Sequence, residues 1–158
     1  MDMLLKYMED NANLTPEQLA VMCQKEVGDV KKFIAEQEAQ GVILGYKTMI
    51  DWDKTDREYV SALIEVKITP QRDRGFDRVA ERIYSYPEVE SVYLMSGGFD
   101  LAVTLRGKTM REVAVFVAQK LATLDAVTST ATHFILRRYK DHNVIFGSAP
   151  IDERGNVI

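Results

Sequence analysis

Apolar positions fall into two rhythms along this chain. From residue 2 to about residue 40 they recur at spacings of three and four, the repeat of helices with one buried face. Leu4, Leu5 and Met8 predict a first helix over 2–10, and Asn11, Ala12 and Asn13 a turn after it. Thr15, Pro16 and Gln18 predict the start of a second. The threonine hydroxyl can accept from the amide three residues on, the proline suits a first turn, and the glutamine can reach back to complete a capping box. Leu19, Ala20, Met22 and Cys23 give that helix its apolar side. Val27, Val30 and Ile34 predict a third helix over 26–40, with Gly41 as its stop. Residues 42–44 and 46–50, either side of Gly45, read as a short β-hairpin wing. Three short helices and a hairpin form the outline of a winged helix-turn-helix.

Beyond residue 58 the rhythm changes. Ala62, Ile64, Val66 and Ile68 alternate as in a strand over 60–68. Phe76, Val79, Ala80, Ile83 and Tyr84 return to helical spacing until Pro87. Strands follow over 89–95 and 99–105, joined by Ser96, Gly97 and Gly98. Thr109 and Glu112 form a second capping box, ahead of a buried stripe of Val113, Phe116, Val117 and Leu121. A last strand spans 127–138. The order strand, helix, strand, strand, helix, strand is the split βαβ, ferredoxin-like arrangement. It calls for an antiparallel sheet with helices on one face and the other face free for a partner. The expected class is therefore α+β, an N-terminal winged helix-turn-helix followed by a ferredoxin-like βαββαβ domain. The expected divisions are 1–50, a charged linker over 51–58, the second domain over 59–140 and an irregular tail over 141–158. Within that tail, residues 144–146 could pair with a sheet edge.

Composition narrows the class. With 158 residues, 46% of them hydrophobic, the chain can bury one good core or two small ones. No apolar run approaches the length of a bilayer span, and the first residues lack the features of a signal peptide, so a cytoplasmic protein is expected. A single cysteine, Cys23, allows no internal disulfide and reads as core packing. The net charge of −4 argues against a polyanion binder over the whole surface, although a local basic face would still suffice for DNA.

Chemistry is sparse. His133 and His142 have no cysteine or histidine at ligand spacing, and His133 reads as a sheet-surface residue. No phosphate-binding glycine loop or nucleophile elbow is present. Asp51, Asp53 and Asp56 cluster on the charged linker, where solvation accounts for them. No catalytic pair, metal site or cofactor is expected, and the chain does not read as an enzyme.

Three segments stand out in order: Gly41-Val-Ile-Leu-Gly-Tyr46, Met95-Ser-Gly-Gly-Phe-Asp100 and Val127-Thr-Ser-Thr-Ala-Thr132-His-Phe-Ile-Leu136. In this order and separation they resemble the leucine-responsive/asparagine-regulator (Lrp/AsnC) family of transcription factors, over about residues 2–140. The resemblance implies an N-terminal domain that binds double-stranded DNA. It implies a ferredoxin-like domain that dimerises through its sheets, assembles into octamers or related rings, and binds an amino acid or similar small metabolite between subunits. It places Gly97, Gly98, Phe99 and Asp100 at the effector loop, with Thr130 and Thr132 on a facing strand. Backbone amides at paired glycines suit a carboxylate, and Asp100 suits an ammonium group. The same residues also make sense as a tight turn capped by Asp100, beside threonines that simply favour strands.

The resemblance makes 26–40 the DNA-reading helix, with Val27, Gly28, Asp29, Lys31 and Lys32 at its reading end and Lys25 just before it. Here the chain departs from the family pattern of serine, threonine and several arginines. No arginine precedes Arg57, and residues 1–50 carry five lysines against eight carboxylates, a balance of −3. Bidentate guanine readout by arginine is thereby absent, and acidic neighbours oppose phosphate contacts. Gln37 also stands where an aliphatic residue is usual. The alternative to a DNA-binding regulator is a ligand-sensing or scaffold protein that has lost DNA binding and acts through protein contacts.

Overall fold

The computed structural model describes residues 2–69 and 75–147, and the chain divides into two compact units, Met1–Ile50 and Asp51–Ile158. The first unit holds three helices: α1 (Asp2–Asp10), α2 (Pro16–Cys23) and α3 (Val27–Ala39). The capping box forms as its residues require. Thr15 Oγ1 accepts from Gln18 N at 3.2 Å, and Gln18 Oε1 accepts from Thr15 N at 2.9 Å. Leu4, Leu19, Ala20, Val30 and Phe33 make the small core, with Cys23, Val27 and Ile34 packed against it. Phe33, three residues after Val30, completes the buried stripe of α3.

Gly41 ends α3 in a Schellman motif. It sits at φ +70°, its N–H reaches Glu38 O at 3.1 Å, and Val42 N reaches Gln37 O at 2.9 Å. The expected hairpin wing does not follow. Residues 42–50 carry no strand. The amides of Val42 and Ile43 both go to the Gln37 carbonyl, at 2.9 and 3.2 Å, so the start of the expected strand is committed to closing the helix. The Tyr46 hydroxyl donates to Glu38 Oε1 at 2.8 Å and holds this segment along α3.

The second unit opens with a 3₁₀ turn, Trp52–Lys54, in the stretch expected to be a charged linker. Then come β1 (Val60–Ile68), α4 (Gly75–Tyr84), β2 (Val89–Leu94), β3 (Leu101–Gly107), α5 (Met110–Phe116) with a π-helical turn Val117–Leu121, and β4 (Val127–Ile135). The sheet order is β2-β3-β1-β4, all antiparallel, which is the ferredoxin-like arrangement. Ala62, Ile64, Val66 and Ile68 of β1 share one face with Leu101, Val103 and Leu105 of β3. Ile83, Val113, Phe116, Val117 and Leu121 close over them from the helices. Burying each large aliphatic side chain here contributes about 1.5–3 kcal/mol.

The face away from the helices is mixed. Leu63, Ala102, Ala131 and Ile135 share it with Ser61, Glu65, Lys67, Arg106 and His133. The alternating pattern sends its larger apolar set to the helix side.

The first part of the expected tail, residues 141–147, is not irregular. β5 (Lys140–Asp141) and β6 (Val144–Ile145) pair with each other, apart from the main sheet. His142 and Asn143 join them at φ +43° and +64°, the backbone of a two-residue type I′ turn. Phe146 is buried beyond it. Residues 148–158, the rest of the expected tail, lie outside the described residues. No helix among the described residues is long and apolar enough to cross a membrane.

Candidate functional site

Asp100 ends the turn between β2 and β3, and three hydrogen bonds fix it. Met95 N donates to its carbonyl at 2.8 Å, and its own N–H donates to Val66 O at 3.0 Å. Its carboxylate Oδ2 accepts from Ile68 N at 2.8 Å. The carboxylate therefore latches the turn to β1, beside the register shift between Lys67 and Ile68. The capping role foreseen for Asp100 is carried out across strands and not within the turn itself. One carboxylate oxygen is left without a bond to the described residues.

Gly97 stands at φ +158°, a backbone conformation side chains rarely adopt, with open space where a Cβ would lie. Gly98 is equally open and has an ordinary backbone. Phe99 is half-buried at the end of the turn. Ser96, Gly97 and Gly98 are exposed, so their backbone groups are reachable by a ligand.

Thr130 and Thr132 lie on β4 opposite Val66 and Ile64. Leu101, just after Asp100, lies opposite Val66 on the other side. The turn and the two threonines are thus separated by β1, two strand spacings or about 10 Å. Within one chain they do not converge on one pocket. Register also puts both threonines on the helix side of the sheet, half-buried.

An open groove of about 420 Å³ occupies another part of this unit, lined by Trp52, Arg57, Glu58, Tyr59 and Lys108 among others. The Arg57 guanidinium lies 4.7 Å over the Trp52 ring. Sequence reasoning treated this stretch as a solvated linker, and only the lone tryptophan in it hinted otherwise.

In the first unit, three residues, Gln24 to Glu26, separate α2 from α3, and Gln24 takes the left-handed conformation that turns the chain. Lys25, Gly28, Asp29, Lys31 and Lys32 are exposed at this end of α3. Val27 is not. Grouped above with the exposed reading residues, it packs against the core, because the α3 repeat that buries Val30 turns it inward as well. Lys31 Nζ pairs with Glu17 Oε1 of α2 at 3.0 Å, whereas Lys32 Nζ stands 4.0 Å from Glu36 Oε1. The backbone amide of Glu17 and the Lys31 ammonium hold the Glu17 carboxyl below the usual carboxylate range. Nothing in the sequence spacing singled out Glu17. It faces Lys31 only because α2 packs on α3.

Among the described residues no cluster of three potential metal ligands occurs. His133 Nε2 lies 3.2 Å from Glu65 Oε1 on the free face of the sheet, a diagonal cross-strand pair.

Residues 61–145 match the model of the Lrp/AsnC ligand binding domain. The chain is 49% identical over 152 residues to an uncharacterized HTH-type transcriptional regulator, YugG, of Bacillus subtilis, covering 96% of this chain and 92% of the relative. The leucine response regulatory protein of Mycobacterium tuberculosis superposes with a TM-score of 0.74 at 21% identity, covering 91% of this chain and 95% of that one. A transcriptional regulator from Neisseria meningitidis, solved as its L-Met complex, gives 0.70 at 20% identity, covering 96% and 94%. These relatives are regulators and not enzymes, in agreement with the absence of a catalytic pair in the sequence. The family model covers the four-stranded unit and its C-terminal hairpin, and the B. subtilis relative extends the likeness through the three helices. The chain belongs to the Lrp/AsnC family of transcriptional regulators.

Proposed function

We propose that this protein is a DNA-binding transcriptional regulator that answers to an amino acid or similar small metabolite through an oligomeric second unit. The observation that carries the DNA half is the pairing of α2 and α3 through a three-residue turn, the length of a helix-turn-helix. The N-terminal end of α3 presents Gly28, Asp29, Lys31 and Lys32 to solvent, with Lys25 ahead of them. On this reading α3 lies in the major groove and its lysines meet phosphates.

The effector half rests on the turn over 96–100. Exposed backbone at Gly97 and Gly98 offers donors for a carboxylate, and the oxygen of Asp100 not taken by Ile68 can accept from an ammonium group. Phe99 supplies apolar contact. The separation from Thr130 and Thr132 within one chain favours a site shared by two copies, where the threonines of one face the turn of the other. The L-Met complex of the Neisseria meningitidis regulator supports an amino acid as the class of ligand.

Fluorescence anisotropy with duplex DNA spanning the region upstream of this chain's own coding sequence tests the first half. Replacing Lys31 and Lys32 together by alanine should weaken binding on all sequences and flatten the salt dependence. A thermal-shift screen of the common amino acids tests the second, since a ligand of the native state raises the melting temperature. The Lys31–Glu17 pair and the −3 balance of residues 1–50 favour one other reading, a sensor that acts through protein contacts without DNA. Absence of salt-dependent DNA binding, with amino-acid binding intact, would establish it.

A further inference from the structure

We infer that Glu17 is an affinity-setting residue of the DNA surface: by pairing with Lys31 it withholds that lysine from phosphate and leaves Lys32 as the main phosphate contact of α3. This inference rests on the DNA-binding reading above.

The two lysines are neighbours in sequence but not equivalent in structure. Lys31 Nζ lies 3.0 Å from Glu17 Oε1, a contact between two helices. Packing of Leu19 and Ala20 of α2 with Val30 and Phe33 of α3 fixes the two helices and so presents the carboxylate to the ammonium. Lys32 has only Glu36, one turn on in its own helix and 4.0 Å away. That order, lysine before glutamate, is the weaker one for a helical pair, because each charge then opposes the helix dipole. Glu17, by contrast, sits in the first turn of α2, where the helix dipole favours a carboxylate.

A phosphate that engages Lys31 must therefore displace Glu17, whereas Lys32 gives up little. Both partners of the 3.0 Å pair are more than half exposed, so the competition is modest, of the size of a surface ion pair. Its removal should tighten binding about two- to fivefold per reading helix. Each additional phosphate neutralised steepens the dependence of log affinity on log salt by about 0.9.

The test is anisotropy titration over a range of salt, using the full chain and the upstream duplex named above. In the wild type, Lys32→Gln should weaken binding more than Lys31→Gln. Glu17→Gln, which keeps the Thr15–Gln18 capping box, should tighten binding and steepen the salt slope, and in that background Lys31→Gln should cost as much as Lys32→Gln. If Glu17 acts through Lys31, Glu17→Gln has no effect once Lys31 is glutamine. An equal gain from Glu17→Gln with and without Lys31 would overturn the inference and leave a general charge effect. Wild-type binding that depends on Lys31 as strongly as on Lys32, with no response to Glu17→Gln, would overturn it while the DNA-binding reading stands. No salt-dependent binding by any variant would remove that reading itself.

Discussion

The carboxylate of Asp100 accepts the backbone N–H of Ile68 at 2.8 Å, which ties the turn between β2 and β3 to the end of β1. Loss of that acceptor leaves a partly buried amide unsatisfied, at a cost of about 1–3 kcal/mol. Asparagine keeps an oxygen in the same place and alanine does not. Asp100→Ala should therefore lower the melting temperature by several degrees, and Asp100→Asn should stay near the wild type. The two variants also separate latching from ligand recognition. For whichever amino acid first gives a thermal shift, Asp100→Asn should weaken binding roughly tenfold to a hundredfold by calorimetric titration, the loss of one charge-assisted bond. Equal affinities would leave Asp100 as a latch alone.

The adjacent glycines of the turn should respond differently to alanine. Neither position is crowded, but Gly97 has φ +158°. Gly97→Ala should destabilise by about 1–3 kcal/mol through backbone strain. Gly98→Ala should be neutral or slightly stabilising, because it only restricts the unfolded chain. Urea titration of both variants checks the ordering.

Glu88 should make the second unit acid-sensitive. Burial pushes its carboxyl up, but a hydrogen bond from its own backbone amide and the Lys120 ammonium at 3.1 Å pull it further down, and the net shift is downward. A carboxyl depressed in the folded state stabilises at neutral pH, and that contribution is lost as pH falls from the ordinary carboxylate range through the depressed folded value. Glu88→Gln should be less stable than the wild type at pH 7 and should converge on it in strong acid. A constant difference across that range would show that the pair contributes no pH-linked stability.

Leu63 occupies the middle of the free sheet face, between Thr104 of β3 and His133 of β4. If two copies meet on this face, Leu63→Glu places a carboxylate in the interface and should shift the wild-type oligomer toward monomer. Sedimentation velocity at micromolar concentration reads the change. An unchanged oligomer would put the interface elsewhere.

Local chemistry by itself determined most of the element plan. The Thr15–Gln18 capping box, the Gly41 stop and the alternation of Ala62, Ile64, Val66 and Ile68 depend on neighbours within a few residues, so they were legible in the sequence. So was the ordered set of segments that resembles the family. The hairpin at 140–145 escaped notice because its turn is His142-Asn143, without the glycine that normally announces such a turn. The wing failed for a local reason that alternation of residue types does not reveal, since Val42 and Ile43 can donate to the Gln37 carbonyl of the helix end or to a strand but not to both. Which partner each functional side chain meets was decided only by tertiary packing. Asp100 meets Ile68, thirty-two positions earlier, and Glu17 meets Lys31 across two helices. Sequence periodicity assigns a residue to a face of its own element. The register between strands and the packing of one helix on another then decide what that face meets.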